Sequence, residues 1–174
     1  MTWQNQIGNL AVVVSALLGA AIGGLFSLGL YLRAQSEARR AAGRAVLAEM
    51  FTNADRALSA KTTLVLHEFT DFAWQQQLPL LAHLLNWDDL KTLVNTYDSA
   101  ARAFENARDV IRQGERESED PPRSDRDFGR ISSWFQDIAR EWITAMRILQ
   151  RVVLNKAEWA QLDEDIKKLE TRIG

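Results

Sequence analysis

The sequence contains no cysteine, only two histidines and only three prolines. The absence of cysteine excludes disulfide bonds, thiolate metal sites and cysteine nucleophiles, and two histidines are too few for a histidine-rich metal site. Charge is missing from one region: residues 1–32 carry no Lys, Arg, Asp or Glu, so all 21 basic and 23 acidic side chains follow Leu32. The chain therefore divides into an uncharged N-terminal part and a highly charged remainder.

The uncharged part contains a long apolar run, residues 7–32, which includes the segment SALLGAAIGGLFSLG. As an α-helix this run would be roughly 39 Å long, against about 30 Å for the hydrocarbon core of a bilayer. Three interpretations compete: a cleavable signal peptide, a buried helix of a soluble domain, and a retained transmembrane helix. A signal peptide would begin with positive charge and have a shorter apolar core, and a buried helix would be shorter and interrupted by polar residues. The sequence therefore favours a transmembrane helix over residues 7–32.

Basic residues directly follow this run, at Arg33, Arg39, Arg40 and Arg44, against the single acidic residue Glu37. Because positively charged flanks of a span remain in the cytoplasm, we predict a short extracytoplasmic N-terminus over residues 1–6. Residues 33–174 then form a cytoplasmic domain, and the protein crosses the plasma (inner) membrane once. The same four arginines are predicted to set this topology and to contact lipid headgroups.

Small residues recur every fourth position within the predicted span, at Ser15, Gly19, Gly23 and Ser27. Such a stripe lets two helix backbones approach closely in a membrane, and residues 19–23 match the GxxxG pattern. Apolar segments rich in Gly and Ala also produce this pattern by chance. We therefore treat helix–helix contact through these four residues, and a homo-oligomer formed by it, as a hypothesis.

The remainder of the chain has a helical pattern throughout, with no alternating apolar stretch long enough to propose a strand. Apolar spacing predicts helices over about 36–66, 71–85 and 87–113, a fourth that carries Phe128 to Val152, and a fifth that begins at Lys156. Asn86 is the predicted N-cap of the third helix, with Asp89 completing a capping box. Residues 114–127, with many charges and two prolines, are predicted to form a loop. The predicted fold class is all-α, an N-terminal transmembrane helix followed by an antiparallel bundle of four or five helices.

Each predicted helix carries an apolar stripe that has to be buried. On the third helix the stripe contains Leu90, Val94, Tyr97, Ala101, Phe104 and Ile111, with Arg108 as its one charged interruption. The fourth and fifth helices carry heptad-like seams, namely Phe128, Ile131, Phe135, Ile138, Trp142, Ala145, Leu149 and Val152, then Trp159, Leu162, Ile166, Leu169 and Ile173. These seams pack within one chain or pair between chains, and two heptads in the fifth helix favour packing within the chain. Trp134 lies off its seam and is the predicted exposed tryptophan.

No set of residues in the sequence has the spacing that catalysis or metal binding requires. His67 and Glu68 resemble the start of a zinc-protease helix, but the second histidine is missing. The adjacent carboxylates Asp88 and Asp89 point in different directions on a helix and are better explained by capping. The tryptophans either fill the core, contact a partner or line a pocket. We predict no catalytic activity, no cofactor, no metal and no nucleic-acid partner.

Two segments carry a resemblance to known proteins: EARRAAGRAVLAEM after the apolar run, and WQQQLPLLAHLLNWDDLKTLVNTYDS further on. With the uncharged span before them, they resemble small uncharacterised bacterial single-pass membrane proteins with a helical cytoplasmic domain. The likeness covers about the first hundred residues. It implies one membrane span, a helical domain and a bacterial origin, and it brings no assigned activity.

These observations predict a single-pass membrane-anchored helical protein that acts as a protein-interaction scaffold, sensor or accessory subunit. Its predicted partners are membrane lipid, a second copy of itself and an unidentified protein. A small membrane-permeabilising effector of holin or toxin type, assembled through the glycine-striped span, is the alternative. A span without charged side chains is poorly suited to line an aqueous pore, which favours the first prediction.

Overall fold

The computed structural model describes the backbone of residues 3–63, 65–117 and 125–173, and the side chains of residues 14–63, 65–113, 128–155 and 158–173. Its elements are α1 (Trp3–Thr63), α2 (Phe72–Leu81), α3 (Trp87–Glu117), α4 (Asp125–Val153) and α5 (Lys156–Ile173). These residues contain no strand, so the all-α prediction is confirmed at this level. The chain divides into two compact units, Met1–Ala38 (unit 1) and Arg39–Gly174 (unit 2).

The helix boundaries differ from the prediction where local signals are weak. Helix α3 continues through Gly114 to Glu117, and α4 already begins at Asp125, so the ends of the predicted 114–127 loop are helical. One glycine costs a helix about 1 kcal/mol, which is too little to end it among strong helix formers. Residues 118–124 of the predicted loop lie outside the described residues. Helix α2 is shorter than predicted, ends at Leu81 and contains Pro79.

The predicted N-cap at the start of α3 is confirmed, because the Asn86 Oδ1 atom accepts a hydrogen bond from the Asp89 backbone N–H at 2.8 Å. The return bond differs from that of a capping box, since the Asn86 side-chain amide, and not its backbone N–H, donates to the Asp89 carboxylate at 2.8 Å. A complete capping box starts α5, where Asn155 and Glu158 exchange side-chain to backbone bonds of 3.1 and 3.0 Å. Both turns satisfy N–H groups that a helix N-terminus leaves without a partner.

The core of unit 2 draws on every helix. The predicted seam of α4 is buried from Ile131 to Leu149, whereas Phe128 at its start is exposed. On α3 the predicted stripe is rotated from the true one: Ala101 is exposed, and Leu93, Ala100 and Ala107 are buried instead. Alanine carries little apolar signal in a sequence, but it permits close helix approach and is often buried.

Helices α3 and α4 run in opposite directions. The ring centroids of Tyr97 and Trp142 are 4.7 Å apart, and those of Phe104 and Phe135 are 4.9 Å apart. Because higher positions on α3 meet lower positions on α4, the pair is antiparallel. The first turn of α3 therefore lies at the same end of unit 2 as the last turn of α4.

Helix α1 is also antiparallel to α4. Near the start of unit 2, Gly43 lies directly against Val153, and a Cβ atom at Gly43 would overlap the Val153 side chain. At the other end, Lys61 Nζ and Gln136 Nε2 both donate to the backbone carbonyl of Ile173, at 3.2 and 2.9 Å. Only a residue without a side chain fits at position 43.

The start of unit 2 and several helix termini thus lie at the same end of the unit. Arg44 of α1 forms an ion pair with Glu158 of α5, and the Gln150 amide of α4 donates to the Trp159 carbonyl at 3.2 Å. We call this the entry end, defined by residues 39–44, 87–91, 150–153 and 158–159. The opposite end, defined by residues 57–63, 129–136 and 173, is called the far end.

Candidate functional site

The first candidate surface is the uncharged stretch of α1, residues 14–32. Every side chain in it is exposed, and the large ones include Leu17 at 65%, Leu25 at 70% and Phe26 at 68% exposure. By length and composition α1 is long enough and apolar enough to cross a membrane. A signal sequence near an N-terminus meets the same two criteria, but the core helix of a soluble protein would be mostly buried.

The small-residue stripe lies on this stretch. Ser15, Gly19, Gly23 and Ser27 are all exposed. A Cβ atom built at Gly19 or Gly23 would meet nothing within 4 Å. The glycines therefore make no close approach to any described part of the same chain, and contact with a second helix stays a prediction.

The four arginines that follow have different surroundings. Arg33 donates to Glu37 one turn later, at 3.0 Å, and Arg40 is exposed. Arg39 is half-buried, and its buried Nε atom has no hydrogen-bond partner among the described residues. Arg44 is held in the ion pair with Glu158. Arg44 thus has a protein partner within unit 2, and the role of the four in topology and headgroup contact stays a prediction.

A second candidate centre surrounds Glu49, which the sequence did not reveal. Its carboxylate accepts hydrogen bonds from the backbone N–H groups of Ala73 at 2.7 Å and Trp74 at 3.1 Å, and from the Tyr97 hydroxyl at 2.9 Å. Ala73 and Trp74 are the second and third residues of α2. A carboxylate is favourable at the positive end of a helix, so α1 supplies the N-terminal cap of α2 and joins it to α3.

The segment between α1 and α2 is attached to α1 next to this centre. The side chain of the buried Asn53 donates to the Thr70 carbonyl at 2.6 Å and accepts from the Thr70 backbone N–H at 3.3 Å. One turn later, Arg56 donates to the Glu68 carbonyl at 2.7 Å. These bonds provide partners for backbone N–H and C=O groups of an irregular segment. Burying such groups without partners would cost free energy.

Aromatic rings pack against the ring of Tyr97. The rings of Trp74 and Tyr97 are stacked with centroids 4.7 Å apart, and Trp142 meets Tyr97 edge-on. Burial, reinforced by the charge and hydrogen bond of Glu49, raises the pKa of Tyr97 far above its usual range. Tyr97 therefore remains a neutral hydrogen-bond donor, and the arrangement connects three helices rather than activating a nucleophile.

The tryptophans separate into buried and exposed groups. Trp74 and Trp142 lie in the core, which agrees with the core-filling interpretation. Trp134, the predicted exposed residue, is half-buried, with the Arg130 guanidinium 4.8 Å from its ring centroid. The prediction is wrong because Trp134 packs partly against the hydrophobic core and has Arg130 over its ring. Trp87 is the most exposed tryptophan among the described side chains, at 75%, and Trp159 is 39% exposed.

Among the residues whose side chains are described, no group of three or more His, Asp or Glu side chains is arranged to hold a metal ion. His67 and His83 are both exposed. No protein-family model, no curated protein and no solved structure matches this chain. The resemblance to bacterial single-pass membrane proteins therefore stays a prediction, and the proposals below depend on the geometry alone.

Proposed function

We propose that this chain is a single-pass membrane protein whose unit 2 is a helical interaction module without catalytic activity, acting as a scaffold, sensor or accessory subunit. The observation that carries the proposal is the uncovered apolar stretch of α1, residues 14–32. In the proposed topology, residues 1–6 lie outside, residues 7–32 span the plasma (inner) membrane, and residues 33–174 form an antiparallel bundle of four or five helices in the cytoplasm.

The size of the exposed apolar surface supports a membrane environment. Nine large aliphatic or Phe side chains are exposed between residues 14 and 32. Each gains about 1.5–3 kcal/mol on full burial, so leaving all nine in water would forgo roughly 14–27 kcal/mol. Since a whole domain is typically stable by only about 5–15 kcal/mol, this stretch requires lipid or an extensive partner.

The topology can be tested by thiol labelling, because the chain has no cysteine of its own. We expect Thr2→Cys to react with a membrane-impermeant maleimide in intact cells, and Ser133→Cys, on the exposed surface of α4, to react only after permeabilisation. The reverse pattern would refute the orientation. Extraction of the protein by alkaline carbonate, or an intact mass below the 19.7 kDa of the full chain, would refute the retained span.

Self-association through Ser15, Gly19, Gly23 and Ser27 is part of the proposal. The open space beside Gly19 and Gly23 supports it, because a second helix could approach there without displacing the chain's own atoms. We expect Gly19→Leu/Gly23→Leu to abolish dimers in a membrane-association assay. Gly24→Leu is the matched control, since Gly24 is equally open but lies off the stripe. Equal association of all three proteins would exclude the stripe, and collapse of the membrane potential on expression would favour the permeabilising effector instead.

Recovery of a stoichiometric protein after crosslinking in native membranes tests the interaction module itself. We expect a partner, or a second copy, attached to unit 2. A protein that crosslinks to nothing and remains monomeric would argue against a scaffold, sensor or accessory subunit.

A further inference from the structure

Both of the exposed tryptophans described in unit 2 lie at its entry end. Trp87 is the first residue of α3 and is 75% exposed, and Trp159 lies in the first turn of α5 and is 39% exposed. The buried pair Trp74 and Trp142 lies within the core, and Trp134 near the far end is covered by Arg130. Tryptophan is the residue most characteristic of the boundary between lipid and water, where its ring meets the acyl chains and its N–H meets water.

The entry end is also the part of unit 2 that the chain reaches first after its apolar stretch. Only residues 33–38 separate Leu32 from Arg39, the first residue of unit 2. Even fully extended, this segment spans at most about 25 Å, and as a helix it advances about 10 Å. If residues 7–32 cross a bilayer, the length of this segment keeps Arg39 near the bilayer surface.

The residues that precede Trp87 in the chain, and the charges of the entry end, are compatible with a position at the surface of a bilayer. Leu80, Pro79 and His83 are exposed in the last turn of α2 and the turn that follows it. Basic side chains at the entry end face solvent at Arg40, Lys91 and Arg151, whereas Asp88 and Asp89 lie next to Trp87. This mixture of charges opposes entry into hydrocarbon but is compatible with the headgroup region, where basic side chains meet lipid phosphates.

We propose that the entry end of unit 2 rests on the headgroup region of the bilayer, with Trp87 and Trp159 as interfacial anchors. The inference rests on the proposed membrane span, and it adds a lipid-contacting surface to the bundle itself. Unit 2 would then be held at the membrane both by its covalent connection to the span and by its own tryptophans.

The test uses the full chain, reconstituted in vesicles of phosphatidylcholine and phosphatidylglycerol. A single cysteine at His83→Cys, near Trp87, carries an environment-sensitive nitrobenzoxadiazole label, and Ser133→Cys at the far end carries the same label as the matched control. Both positions are exposed, and no native cysteine has to be removed. We expect a nitroxide on the lipid headgroup to remove most of the emission at residue 83 and little at residue 133, and aqueous iodide to have the opposite preference.

A second pair of variants assigns the contact to the tryptophans. Trp87→Ser/Trp159→Ser should reduce lipid quenching at residue 83 to the level seen at residue 133, whereas Trp134→Ser should leave it unchanged. Circular dichroism confirms that each variant retains its helices.

The outcomes separate this inference from the proposed function. A chain that resists carbonate extraction but shows equal lipid quenching at both labels keeps the span and overturns the surface contact. A label at residue 83 shielded from both lipid nitroxide and iodide would show that protein, not lipid, covers the entry end, which also overturns it. A chain extracted by carbonate overturns both.

Discussion

The two parts of helix α1 have opposite environments. Between residues 14 and 32 every side chain is exposed and none is charged, and a methyl group added at Gly19 or Gly23 would touch nothing. Beyond Arg39 the same helix contributes Val46, Met50 and Ala54 to the core, and its glycine at position 43 is in contact with Val153. The first part of the helix is therefore left uncovered by the described chain, whereas the second part is packed into the core of unit 2.

The largest difference between the core and the exposed part of α1 is expected when a large apolar side chain is truncated to alanine. Trp142→Ala removes a fully buried ring that contacts Tyr97, and we expect it to lower the free energy of unfolding by about 3–5 kcal/mol. Leu25→Ala, in the exposed part, should change it by less than about 0.5 kcal/mol. Urea unfolding of the detergent-solubilised chain, followed by circular dichroism, measures both. A comparable loss in Leu25→Ala would mean that unit 2 covers the apolar stretch.

The second-largest difference between the two parts of α1 is expected for glycine substitutions. Gly43→Ala places a methyl group into the Val153 side chain, and we expect a loss of about 1–3 kcal/mol from overpacking. Gly23→Ala should leave unfolding of unit 2 unchanged, because its methyl group meets open space. In a Val153→Ala background the Gly43→Ala penalty should shrink by at least about 1 kcal/mol, which a double-mutant cycle detects. An unchanged penalty in that background would assign the cost to the backbone rather than to Val153.

The two tyrosines provide a comparison at alkaline pH. Tyr97→Phe removes a hydrogen bond to a carboxylate and should cost about 1.5 kcal/mol at neutral pH. Burial holds the pKa of Tyr97 above its usual range in the folded chain. As the pH rises, the unfolded chain therefore loses the Tyr97 hydroxyl proton at a lower pH than the folded chain does, from about pH 10. The free energy of unfolding should therefore fall as pH rises beyond that value. This fall should be weaker in Tyr97→Phe and unchanged in Tyr31→Phe, whose hydroxyl lies outside unit 2.

The smallest effect is expected where α1 meets α5. Arg44→Gln breaks a partly exposed ion pair with Glu158, so unfolding should become easier by at most about 1 kcal/mol. Arg40→Gln, which removes an exposed arginine one turn earlier, should have no measurable effect on stability. If Arg44→Gln instead inverts the topology without altering stability, the topology-setting role predicted for this arginine outweighs its ion pair.

The sequence predicted those features that depend on neighbouring residues. The Asn86–Asp89 cap, the start of α5 and the buried seam of α4 all follow from spacing within a few positions. Features that depend on distant residues were missed. Nothing near Glu49 indicates that its partners lie on α2 and α3, and the exposure of Trp87 depends on which helices surround it. The exposed apolar stretch was predictable because it has no charge, whereas the rotation of the α3 stripe was not, since alanines such as Ala100 carry little signal.

The cap that Glu49 supplies to α2 makes the stability of this helix depend on its neighbours. Helix α2 has ten residues, contains Pro79, and makes no side-chain cap bond from Asp71 at its own N-cap position. A helix this short is marginal in water by itself, so α2 depends on the hydrogen bonds from its first turn to Glu49 of α1. Amide hydrogen exchange should therefore report α2 as the first helix of unit 2 to open, well before the paired helices α3 and α4. Glu49 thus links the local stability of the second helix to contacts made by the first and the third.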